Sequence, residues 1–122
     1  MTLVSDADGE VLLVEDHVLL RRMLSYTLKD AGYPIVEAGN GTDALELLQR
    51  GLRPRILLSD VRMPGPLNGL ELARRARTLI PGIPVLLMTG YNELSTHEFK
   101  LLLKPYTPEE LLNCITEVLG QR

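Results

Sequence analysis

The sequence predicts one α/β domain, a doubly wound parallel sheet with helices on both faces, and three observations carry that prediction. Short apolar runs of strand length alternate with helical patterns from Glu10 onward. The runs are near-continuous Val, Leu and Ile rather than strictly alternating, as strands buried on both faces require. The chain, at 122 residues, is long enough for a single proper core, and it carries no internal repeat, low-complexity stretch or second-domain linker.

The elements follow in order. "EVLLV" (10–14) is the first strand, and "DHVLLRRMLSYTLKDAG" (16–32) is a helix with Leu20, Leu24, Leu28 and Ala31 on one face and Gly32 as its stop. "PIVEA" (34–38) is a weaker strand. "NGTDALELLQRG" (40–51) places Ala44, Leu45 and Leu48 at helical spacing and closes again on Gly. "RILLS" (55–59) is the third strand, ending at Asp60 before the Pro/Gly-rich "MPGPLNG". "NGLELARRARTLIPG" (68–82) has the stripe Leu72, Ala73, Ala76 and Ile80, and "IPVLLM" (83–88) is the fourth strand. "NELSTHEF" (92–99) is at most a short helix, and "KLLL" (100–103) is the fifth strand. "TPEELLNCITEVLG" (107–120) is the clearest helix: Thr107 and Glu110 form a capping box, Pro108 takes the first helical position, and Leu111, Leu112, Ile115, Val118 and Leu119 make its apolar face. Residues 1–9 read as a flexible lead-in and 10–122 as the folded domain. Parallel strands need right-handed crossovers, which leaves few topologies.

Composition narrows the function. Hydrophobic residues are 45% and charged residues 24%, ordinary for a soluble globular protein. A net charge of −3 gives no drive toward nucleic acid or an anionic membrane, and the lack of Trp with a single Phe argues against base-stacking platforms. Cys114 is the one cysteine and lies on a helical apolar face, where a buried, inert thiol in a reducing compartment is expected. "MTLVSDADGE" has neither a basic nor an apolar leader region, and no run reaches membrane-spanning length, so the cytoplasm is the expected location.

In a parallel sheet all C-terminal strand ends share one edge, where open sheets bind ligands. Glu15 and Asp16 follow strand one, Asp60 strand three, Thr89 strand four and Lys104 strand five, while strand two ends in the unreactive Ala38 and Gly39. With strand order 2-1-3-4-5 the first and third strands are adjacent, and three carboxylates crowd together beside a hydroxyl and an ammonium. Such like charges repel unless a cation is present, and Mg²⁺, hard and oxygen-seeking, suits them. The acids, the metal and Lys104 then balance in formal charge. An arriving phosphoryl group would meet Mg²⁺ and Lys104 as charge stabilisers, with Asp60 as the nucleophile that forms an aspartyl-phosphate.

From about Val11 to Leu119 the chain resembles the CheY-like receiver domain of two-component response regulators. The matching motifs are "VLLVEDH" with its acid pair, "LLSDVRMPG" with its acceptor Asp, "VLLMTGY" with its hydroxyl and "LLLKPYTPEEL" with Lys-Pro. The resemblance implies a flavodoxin-like sheet of order 2-1-3-4-5 and a phosphorelay phosphoprotein. Asp60 would accept phosphate from a phosphohistidine on a histidine kinase or histidine phosphotransfer protein. Glu15, Asp16, Asp60 and the Arg62 backbone carbonyl would hold Mg²⁺. Thr89 would hydrogen-bond the phosphoryl oxygen and couple chemistry to conformation, Lys104 would pair with the phosphoryl group, and the Lys104–Pro105 bond would be cis. Such a module is not an enzyme on an external metabolite; it catalyses only its own phosphorylation and dephosphorylation. With the chain ending just beyond Gly120, output is expected through a partner or a parent polypeptide, without nucleic acid or membrane binding by this chain. A hybrid histidine kinase is one such parent, since lengthened loops like "MPGPLNG" recur there.

Taken singly, each residue has a plainer reading. Asp60 is equally a strand-ending turn acid, Glu15 a helix-start charge, Asp16 an N-cap, Thr89 a turn residue before Gly90 and Lys104 an edge residue. His17 and His97 read as surface residues, and "RRAR" (74–77) as a solvated helix side that could meet an acidic partner. Two features depart from the receiver pattern. Only 14 residues separate Thr89 from Lys104, so the fourth helix is expected to be shortened, displaced or partly unwound. The switch aromatic three residues before the Lys is replaced by Leu101, with Phe99 and Tyr106 flanking it. Tyr91 and Arg62 stand where water would reach the phosphoryl group and are expected to slow its loss. Three rivals remain. A pseudo-receiver would bind partners without phosphorylation. A haloacid-dehalogenase-type phosphatase needs a second acid two residues after the nucleophile, where this chain has Arg62. A nucleotide or flavin binder needs a Gly-rich loop after strand one, where this chain has acids.

Overall fold

The computed structural model describes residues 9–90 and 98–120. Along them run β1 (Val11–Val14), α1 (Val18–Asp30), β2 (Ile35–Ala38), α2 (Gly41–Gln49), β3 (Ile56–Asp60), α3 (Gly69–Leu79), β4 (Val85–Gly90), β5 (Lys100–Lys104) and α4 (Pro108–Gly120). The strands form one parallel sheet in the order β2-β1-β3-β4-β5, as the sequence predicts. Residues 1–8 of the expected lead-in, and residues 92–97 of the expected short fourth helix with His97 and Tyr91, lie outside the described residues.

Successive side chains of a strand point to opposite faces, so one sheet feeds two core layers. Leu12, Val14, Leu57, Val85 and Leu87 face α2 and α3 and pack on Ala44, Leu48, Leu72, Ala73 and Ala76. Val11, Leu13, Ile56, Leu58, Leu86 and Met88 face α1 and α4 and pack on Leu24, Leu28, Leu111, Ile115 and Val118. Each fully buried Leu or Ile contributes about 1.5–3 kcal/mol relative to exposure, so both layers matter to the rigidity of the strand ends. Leu20, Leu45, Ile80, Leu112 and Leu119 are only partly buried at the rims of these layers.

Helix starts follow their caps. Asn68 and Glu71 close a capping box on α3, with hydrogen bonds of 2.9 and 3.3 Å, and Thr107 and Glu110 close the expected one on α4, with 2.8 and 3.1 Å. Two expectations for α1 are corrected. Its N-cap is His17 rather than Asp16: His17 Nδ1 accepts from the Leu20 amide at 3.2 Å, so the helix begins one residue later and Asp16 stays in the loop. Ala31 is the exposed C-cap and does not belong to the buried stripe; the inward-facing residue is Ser25, beside Leu24 and Leu28. Cys114, expected to be buried, is instead partly exposed at the rim of the α1/α4 layer, and what burial it has pushes its thiol pKa upward.

The "RRAR" run is exposed except for Ala76, and two of its arginines fasten the entry to β5. Arg74 donates to both Glu98 carboxylate oxygens, at 2.5 and 3.3 Å. Arg77 donates to the Glu98 carbonyl at 3.2 Å and lies 4.4 Å over the ring centre of the buried Phe99.

Candidate functional site

Register brings the chemistry to one sheet edge. Asp60, the last residue of β3, is 7% exposed and lies opposite Met88 of β4. Lys104, the last residue of β5, lies opposite Gly90, and its Nζ donates to Asp60 Oδ1 at 2.8 Å. One step beyond β1, the Glu15 amide donates to the Ala38 carbonyl at 3.2 Å and continues the ladder. The Glu15 side chain is buried; its Oε2 accepts from the His17 amide at 3.1 Å, while Oε1 accepts no hydrogen bond among the described residues. Asp16 follows, exposed. One carboxylate oxygen from each of Glu15, Asp16 and Asp60 lies within 4.8 Å of the others.

The electrostatics are those of acids short of positive charge. The Glu15 carboxyl is pushed up to about 7, chiefly because burial penalises its charged form; the His17 amide works against this, Asp60 and Asp16 raise it further and Lys104 lowers it. A buried carboxylate oxygen without a donor among the described residues, grouped with two more acids, has the hard-oxygen chemistry that a Mg²⁺ ion satisfies. The residues present fit the metal.

The backbone beneath Asp60 is packed around a glycine. The Val61 amide donates to the Met88 carbonyl at 2.9 Å, and the Gly69 amide donates to the Val61 carbonyl at 2.8 Å. A Cβ on Gly69 would stand 2.8 Å from Val61 Cα and press on the Asp60 carbonyl, so only glycine lets α3 begin here. Between them, the 61–68 loop is anchored by the buried Met63 and Leu67, and Arg62 is exposed two residues past Asp60. Thr89 is buried near the end of β4, its hydroxyl 3.4 Å from the Gly90 carbonyl. The Lys104–Pro105 bond is cis.

The structure therefore brings together Glu15, Asp16, Asp60 and Lys104, with Thr89 on the strand between Asp60 and Lys104. Leu101 stands apart: it pairs with Leu87 and packs, partly buried, on the α2/α3 layer. Three participants escaped the sequence reading. Gly69 showed only as part of an "NG" helix start. Tyr106 donates to Met88 Sδ at 3.1 Å, and its phenol is pushed up to about 12 by burial and then by Glu15 and Asp60, which places it in the field of the acids. Arg21 on α1 donates to the Glu15 carbonyl; the one sequence hint was a cation near a helix N-terminus, against the macrodipole.

Residues 11–116 match the response regulator receiver domain, and the chain belongs to that family, a module of two-component signalling. Among its relatives, the response regulator receiver protein CpdR of Brucella abortus is 35% identical over 117 residues, covering 89% of this chain and 95% of the relative. Sporulation initiation phosphotransferase F of Bacillus subtilis is 30% identical, covering 90% of this chain and 93% of that one. A solved response regulator receiver protein from Sinorhizobium medicae superposes with a TM-score of 0.86 at 27% identity, covering 95% of this chain and 98% of its own. No described helix is long and apolar enough to cross a membrane.

Proposed function

We propose that residues 10–122 form a phosphoacceptor receiver in which Asp60 takes a phosphoryl group from the phosphohistidine of a kinase or phosphotransfer protein. The observation that carries the reading is the Asp60–Lys104 pair set beside Glu15 and Asp16 on the strand ends. An Asp60 oxygen forms the new P–O bond as the P–N bond to the donor imidazole breaks, and the ring leaves with the electron pair and takes a proton. The Lys104 ammonium, already on Asp60, follows the charge onto the phosphoryl oxygens. The Thr89 hydroxyl turns from the Gly90 carbonyl toward the same group, which shifts the population between two surface conformations. Glu15, Asp16, Asp60 and the Arg62 carbonyl would hold Mg²⁺. When bound, the metal neutralises the charge that builds on the transferring group.

A protein donor fits the surface beside the site. Leu19, Met23 and Tyr26 of α1 are exposed apolar side chains, and a cleft of about 370 Å³ lined by Leu20, Leu24, Pro105, Tyr106 and Leu111 opens next to Lys104. The module works in the cytoplasm and turns over no external metabolite; its own acceptor is its substrate. Similarity to a protein named a sporulation initiation phosphotransferase supports a place in a relay.

The test is intact mass after incubation with acetyl phosphate, with and without Mg²⁺, on the parent and on Asp60→Asn. A single phosphoryl adduct that requires both Mg²⁺ and Asp60 is expected. A folded parent that binds Mg²⁺ yet accepts phosphate neither from acetyl phosphate nor from a phosphorylated donor protein would instead be a pseudo-receiver.

A further inference from the structure

We propose that Arg21 is a positioning residue for the acid pair, holding the peptide that joins Glu15 to Asp16; as a statement about metal binding this rests on the function proposed above. Arg21 stands at the start of α1 with its side chain 21% exposed. Its Nη1 donates to the Glu15 carbonyl at 2.8 Å, and its Nε donates to Glu37 Oε1 at 3.0 Å. Glu37 belongs to β2, where its register partner is Leu13, so the guanidinium spans the ends of the first two strands. Gly39 leaves room for it: a Cβ there would come within 3.3 Å of Nη1. The unreactive end of β2 thus supplies a brace and a space rather than a reactive group.

The consequence is geometric. The Glu15 carbonyl and the Asp16 amide share one planar unit, so fixing the oxygen fixes the direction from which Asp16 departs. Independently, the His17 amide holds the Glu15 carboxylate at 3.1 Å. Together the two contacts hold the acid pair against a repulsion that would otherwise spread it. The forked guanidinium can bond a carbonyl and a carboxylate at once, which a lysine ammonium cannot do with the same fixed angles.

Charge and position predict opposite signs, which makes the claim testable. Removing a cation bonded to the backbone of the acid pair should, by Coulomb attraction alone, tighten Mg²⁺ binding if it changes it at all. Losing the brace should weaken it, and supporting groups of this kind typically matter about tenfold or more. Calorimetric titration of the full chain with Mg²⁺ is expected to show Arg21→Met binding about tenfold more weakly, with Arg21→Lys recovering part of the loss and Glu37→Gln losing less than Arg21→Met. In metal-free protein the Asp16 amide resonance of Arg21→Met should move and its hydrogen exchange quicken. Affinity of Arg21→Met at or above that of the parent overturns the proposal. Where Arg21→Met does not fold, Glu37→Gln carries the test, and unchanged Mg²⁺ affinity together with an unmoved Asp16 amide overturns it. A parent that takes up no Mg²⁺ refutes the metal reading instead; the brace is then judged on the Asp16 amide alone, supported if it moves and overturned if it does not.

Discussion

Replacing Glu15 with Gln should stabilise the metal-free protein at pH 8 and leave it unchanged at pH 4. The carboxyl titrates near 4.5 when free and near 7 in the fold, so between those values the native state keeps a proton that the unfolded chain has lost. Stability from this group therefore falls as pH rises through that window and stays low above it. The full penalty is on the order of 3 kcal/mol. Glutamine keeps an oxygen for the His17 amide and never ionises, so the variant escapes the penalty. With a urea slope of roughly 2 kcal/mol per molar, the variant's midpoint should exceed the parent's by about 1.5 M at pH 8. At pH 4 both side chains are neutral and the midpoints should coincide; other titrating groups cancel in the comparison. Mg²⁺ at a hundredfold excess over its Kd adds about 2.7 kcal/mol to the parent and should nearly close the gap. Equal midpoints at pH 8 without metal would refute the account of Glu15 as a strained acid.

Four further outcomes are expected. Lys104→Met leaves the three acids without their ammonium, so Mg²⁺ should bind several-fold more tightly by calorimetry while the Asp60 adduct fails to shift the Thr89 amide in NMR spectra. Gly69→Ala forces a methyl onto the Asp60–Val61 backbone and should cost about 2 kcal/mol or more in urea unfolding. Asn68→Ala removes the side-chain half of the α3 capping box and should cost about 1 kcal/mol in the same assay. Tyr106 keeps its proton up to about 12 in the fold but only to about 10 when unfolded, so as pH climbs through that interval the parent should lose more stability than Tyr106→Phe.

The residues legible in the sequence are those whose place follows from where an apolar run stops. Asp60 and Lys104 each end such a run, and parallel topology delivers strand ends to one edge, so their pairing needed no knowledge of side-chain geometry. The α1 cap was not legible, because Asp and His stand side by side and cap preference favours the acid, whereas His17 Nδ1 takes the Leu20 amide. Arg21 was hidden for a different reason. Its acceptor is a backbone carbonyl, which has no residue type, and its brace comes from a strand that pattern alone marks as unreactive. Arg74 and Arg77 looked like a solvated face and are exposed, yet their partners lie more than twenty residues away, beyond the reach of helical periodicity.

That last pair has a consequence for how the chain can vary. Single exposed ion pairs contribute little, but here a two-pronged contact to Glu98 acts with a guanidinium stacked on a buried ring. β5 is therefore moored from α3 at its start and ends at Lys104 on Asp60. Once both ends of a strand are fixed from elsewhere, the length of the connection that feeds it becomes a free variable. Residues can be lost or gained between β4 and β5 without moving the ammonium. In such a fold the 14 residues between Thr89 and Lys104 need not set where the ammonium stands, because contacts from α3 and Asp60 do.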